Sequence, residues 1–146
     1  MRSILRVLLV LWAGSLWSLA LWVAPTLFAQ SDRHLAGMLA ARLFGIETYV
    51  GLAAAGLALA LPDRAKFAPG YLAAALLATN EWLLKPVMSR AHTQGAALGL
   101  GFGAWHGVAA LLYVLACLAA LWLVWRDPSI RPGDVRPLGV GTKGRV

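Results

Sequence analysis

The sequence predicts an all-α integral membrane protein, a bundle of four transmembrane helices with both termini on the cytoplasmic side. Composition is the first reason. Hydrophobic residues make up 60% of the 146 and charged residues only 13%, with a mean hydropathy of +0.72. A soluble domain of this size has too much surface for its volume to hide that much apolar side chain. The second reason is spacing: four apolar runs each approach the ~20 residues a helix needs to cross a hydrocarbon core. The third is charge, which collects at the ends of those runs.

The first span is expected over about residues 4–28. Its opening, MRSILRVLLVLWAGSLWSLA, has the small residues Ser18 and Ala20 of a signal-peptide cleavage region. The apolar run continues to Phe28, however, which is longer than a signal's apolar core and predicts an uncleaved helix. The other spans are expected over about 38–61, 67–88 and 101–125. Between them, AQSDRHLAG, LPDRAKFAPG and SRAHTQGAALGLG carry the charges, Gly and Pro of loops. Residues 1–125 form one domain on this reading. The charged, Pro- and Gly-rich residues 126–146 form a disordered cytoplasmic tail.

Orientation follows from the basic residues. With the N-terminus inside, Arg2, Arg6, Arg64, Lys66, Arg126, Arg131, Arg136, Lys143 and Arg145 are cytoplasmic, against Arg33, Arg42, Lys85 and Arg90 outside. Nine against four favours N-in, C-in. Trp122 and Trp125 then suit the inner interface, and Trp82 and Trp105 the outer one. The net charge of +7 would point a soluble protein towards nucleic acid. Here the partner it fits is the anionic lipid of the membrane's cytoplasmic face. Cys117, alone in an apolar run, excludes an intrachain disulfide. Gly51 and Gly56, beside Ala53, Ala54 and Ala55, are read as a close-packing surface for neighbouring helices.

Polar residues inside the spans are the candidate site. Laid out at ~1.5 Å per residue, Glu47, Asn80, Glu81 and His106 fall in the outer half, with Lys85 nearer the surface. Such residues are costly in hydrocarbon, so they pair or line a pocket. Glu81 and Lys85, four apart with Glu first, suit a helical ion pair. Asn80 is expected to meet His106 across helices. Pro86 removes a backbone bond near the end of its helix. A second pattern pairs His34 with Met38 and Met88 with His92, each four apart. Imidazole and thioether suit copper(I), although Arg33 and Arg90 stand close by. The plainer reading makes the methionines apolar helix ends and the histidines solvated. No nucleotide-binding glycine pattern, nucleophile elbow or zinc motif occurs.

LWAGSLWSLALWVAPTLF, DRHLAGMLAARLF, TNEWLLKPVM and FGAWHGVAALL occur here in that order. In this the chain resembles, over about residues 8–120, a family of four-helix membrane proteins. The family is known as domain of unknown function 4149 and is related to transmembrane protein 205. The marks of the resemblance are Gly14, Pro25, Phe28, Arg33, His34, Gly37, Phe44, Asn80, Pro86, His106 and Gly107. It implies the four-helix fold and no established activity. Val108 and Ala109 stand where the family often has a polar residue.

The leading functional reading is therefore non-enzymatic. A polar pocket of Glu47, Asn80, Glu81, Lys85 and His106 would bind or move a small solute or metal, or the protein would serve a membrane complex or homo-oligomer as an assembly partner. The alternative is a membrane oxidoreductase, or a haem- or copper-binding protein, using His106. Only His106 among the histidines lies in an expected span, which disfavours a bis-histidine haem.

Overall fold

Pro25 and Pro86 decide the shape of two of the helices. Proline lacks the N–H of the helical ladder, and its ring crowds the carbonyl four residues back, which here belongs to Leu21 and Trp82. In the computed structural model, which describes residues 2–62 and 64–126, each proline follows a π-helical turn. The first segment runs α1 (Arg2–Ser18), a π turn over Leu19–Val23, then α2 (Ala24–Gln30). The third runs α4 (Ala68–Thr79), a π turn over Asn80–Leu84, then α5 (Lys85–Gln94). In both, the amide after the turn donates five residues back, Ala24 to Leu19 and Lys85 to Asn80. The wider coil makes room for the ring and lets the chain continue as helix.

The second and fourth segments are unbroken: α3 (Arg33–Leu59) and α6 (Phe102–Trp125). The described residues are all-helical, with no strand. Three helices, Val7–Gln30, Arg33–Leu59 and Phe102–Trp125, are long and apolar enough to cross a membrane. The segment from Ala68 to Gln94 is as long, but carries Asn80, Glu81 and Lys85 near its middle. The expected tail, apart from Arg126, lies outside the described residues.

The helices reach further than the sequence predicts, and the loops shrink. Residues 29–37 are not a loop. Helix runs to Gln30 and restarts at Arg33, because Asp32 caps the restart by accepting from the amides of His34 at 2.9 Å and Leu35 at 3.3 Å. Likewise Ser89–Gln94 is helical, and the connection begins at Gly95, whose φ of 82° closes α5. The chain then folds through a tight turn. Ala97 and Leu100 exchange backbone bonds of 2.9 and 3.0 Å, with Leu98 and Gly99 at φ 51° and 78°, the left-handed pair a two-residue turn requires. Trp105 donates its indole N–H to Ala97 O at 2.9 Å, which ties the loop to α6.

The helices close a ring in which α1 packs on α3 and α6, and α4 packs on the same two. The shared core draws on Leu9–Leu19, Ala54–Leu61, Ala73–Leu77 and Tyr113–Leu123. All of these belong to one end of the bundle, the end at which α1 and α4 begin. Alanine dominates where α3, α4 and α6 meet, which lets backbones approach. The two glycines expected to help differ. A Cβ on Gly51 would stand 2.4 Å from the Trp12 ring, so Gly51 is what admits the indole, whereas Gly56 is exposed with nothing near it.

Candidate functional site

Glu47 and Asn80 lie nearer the middle of their helices than the expected spans place them. The reason is the extension of the helices. With α3 starting at Arg33, Glu47 stands fourteen residues from one end and twelve from the other, roughly 20 Å from each. Asn80 stands twelve residues beyond Ala68 and fourteen before Gln94. Ser15 and Tyr113, which sequence reasoning missed, hold the same level in the first and fourth segments. All four segments thus contribute polar atoms to one layer, just where the packed core ends.

Each member has its own partner. Ser15 Oγ lies 3.1 Å from Glu47 Oε2 and 2.8 Å from the carbonyl of Trp12. The Trp12 indole donates to Glu47 O at 3.2 Å. Tyr113, 6% exposed, donates its hydroxyl to Leu16 O at 2.9 Å and meets Phe44 edge-on, ring centroids 4.6 Å apart. Glu81 pairs with Lys85 as the spacing predicts, the Glu81 side chain 17% and the Lys85 side chain 49% exposed. The Glu81 carboxylate lies against α3 at Gly45, with Oε1 3.6 Å from the position a Cβ would take. Glycine at 45 therefore fits the carboxylate closely, and a side chain larger than alanine would displace it.

Asn80 does not meet His106. Its carboxamide donates to the carbonyl of Ala109 at 3.1 Å, one turn further along α6. A helix carbonyl keeps a free lone pair and a fixed direction. The His106 side chain is exposed and stacks on Phe102, 5.9 Å between centroids, with His92 on Phe102 at 5.2 Å. His106 thus belongs to an aromatic stack between α5 and α6, near the bundle's other end. A contact between side chains on different helices depends on helix rotation, which no spacing within one helix reveals.

Each soft-ligand pair stays within one helix, and the two pairs stand apart from each other. His34 and Met38 occupy the first turns of α3, Met88 and His92 lie on α5, and these two helices share no extended interface. Among the described residues no three of His, Cys, Asp and Glu are grouped to hold a metal. Trp82, expected at an interface, stands at mid-helix with its ring edge-on to Tyr49 at 6.5 Å. Trp122 and Trp125 do close α6, and the Arg126 guanidinium lies 5.7 Å over the Trp122 ring.

An all-helical bundle with membrane-length apolar helices and polar atoms gathered at mid-helix defines the class. The family model of the domain of unknown function DUF4149 matches residues 7–97, and the chain belongs to that family. Of the residues that carried the resemblance, Gly14 to Pro86 fall within the match, while His106 and Gly107 lie beyond it. Searches of curated proteins and of solved structures give no match.

Proposed function

We propose that the protein is a multi-pass inner-membrane protein of four spans, N-in and C-in, that binds a small cationic solute at its mid-helix polar layer and catalyses no reaction. The observation that carries this reading is Glu47. It sits at the centre of α3, its side-chain partner is the neutral Ser15 hydroxyl, and no ion pair reaches it among the described residues. A carboxylate at the centre of a bilayer is costly, roughly 2.5 to 3.5 kcal/mol on insertion scales, and marks a site by default. The neighbouring Glu81 has its own cation in Lys85, so a positively charged ligand completes the charge balance at Glu47.

Four spans are supported by the packing of α4 on both α3 and α6. The polar residues of the third segment are held by partners, which offsets their cost. Orientation rests on the basic flanks. Single cysteines at Ser31 and Thr93, in a Cys117→Ser background, are expected to react with an impermeant maleimide from outside intact cells. A cysteine at Ala65 is expected to react only after lysis. The reverse pattern overturns N-in.

The ligand class is tested with two probes of one shape and opposite charge. Titration calorimetry of the protein in nanodiscs should give saturable binding of tetraphenylphosphonium and none of tetraphenylborate. Equal binding of both, or of neither, removes the cationic reading.

A further inference from the structure

We infer that the bundle carries an access cleft to its polar layer, opened by two hairpin arms that swing on the π turns at Leu19–Val23 and Asn80–Leu84. The large core cluster fills the half in which α1 and α4 begin, and the buried side chains of the other half are mostly small, such as Ala36, Ala40 and Ala91. Beyond the polar layer the packing changes partners. There α2 lies on α3 and α5 lies on α6, while α2 with α6 and α3 with α5 make no extended interface. None of the α2 side chains is buried, α5 buries only Ala91, and α6 buries nothing before Ala109. The ring of four helices thus divides into two pairs, α2 with the first turns of α3, and α5 with the first turns of α6.

The hinges lie where that division begins. Each π turn starts within a few residues of the polar layer, and each is followed by a proline that cannot restore the ladder. At the third segment Thr79 Oγ1 also bonds back to Ala75 O at 2.9 Å, a contact that bends helices. A helix bends most easily where its ladder is interrupted. The other two segments, α3 and α6, are continuous, and each arm is tied to one of them by a short link. These links are the Asp32 cap and the Ala97–Leu100 turn with the Trp105 bond. Each arm therefore bends at the π turn of one leg while its other leg flexes as unbroken helix, with Glu81, Asn80 and the Tyr113–Phe44 pair at the level from which the arms part.

The cleft serves the binding reading, yet the motion is measured without ligand, so either can fail alone. The probe is a pair of nitroxides at Gln30 and Gln94, one on each arm, in a Cys117→Ser chain held in nanodiscs. A second pair at Leu59 and Leu121 reports on the packed half. Pulsed electron resonance should give a broad distance distribution across the arms and a narrow one across the packed half. In the Pro25→Ala, Pro86→Ala double variant the cross-arm distribution should shift to a single narrow one, with the packed-half distance unchanged. A narrow cross-arm distribution in the parent chain overturns the cleft. So does a broad one that the proline replacements leave unaltered, and so does an equally broad packed half.

Discussion

Replacement of Gly51 by leucine is expected to unfold much of the bundle. Trp12 occupies the space a side chain would need, with its Cζ2 atom 2.4 Å from where a Cβ would stand. The ring cannot simply retreat. Its N–H is bonded to Glu47 O, and the residue is 3% exposed among Leu9, Leu16 and Ala54. Overpacking a filled core costs typically ~1 to 3 kcal/mol and occasionally more, and leucine should reach the upper end. Alanine already clashes and should be intermediate. In a bilayer, helix association depends on packing contacts, because lipid is as apolar as the side chains, so little offsets the strain. Thermal melting in detergent is the measurement. Trp12→Ala in the Gly51→Leu background should restore part of the loss by emptying the space. A Gly51→Leu chain as stable as the parent would mean that α1 and α3 do not approach there.

The second large effect is expected at Glu47. Removing the charge by Glu47→Gln keeps shape and hydrogen bonding to Ser15 and deletes the attraction for a cation. Two unit charges ~5 Å apart at an effective dielectric constant of about 20 attract by ~3 kcal/mol, so tetraphenylphosphonium affinity should fall roughly a hundredfold. Lys85→Met frees the Glu81 carboxylate instead and should tighten binding. If Glu47→Gln leaves the affinity unchanged while Glu81→Gln abolishes it, the binding charge belongs to Glu81. The melting temperature of each variant separates lost binding from lost fold.

Membrane-type helices and the Glu81–Lys85 pair were legible in the sequence, because each depends on residues near in sequence. Apolar length sets a helix, and a spacing of four puts two charges on one face. The helix ends were less legible. Asp32 lies in a charged run that resembles a loop, and only the geometry of its cap lets helix restart one residue later. That boundary also sets Glu47 nearer the middle of its helix than the expected span does. Both prolines were visible, but proline is compatible with a kink, a break or a π turn, and packing selects among them.

Which polar groups meet was decided by tertiary structure alone. Nothing in the sequence singled out Ser15 or Tyr113; α1 and α3 bring Ser15 to Glu47, and Tyr113 reaches Leu16 O. Asn80 and His106 each had a plausible partner in the other, yet helix rotation gave them Ala109 O and Phe102 instead. The sequence by itself determined the apolar runs and the residues that need polar company, since both are properties of single side chains and their neighbours along one helix. The division of the bundle into a packed half and two arms required the structure, because it depends on the relative rotation and separation of helices far apart in the chain.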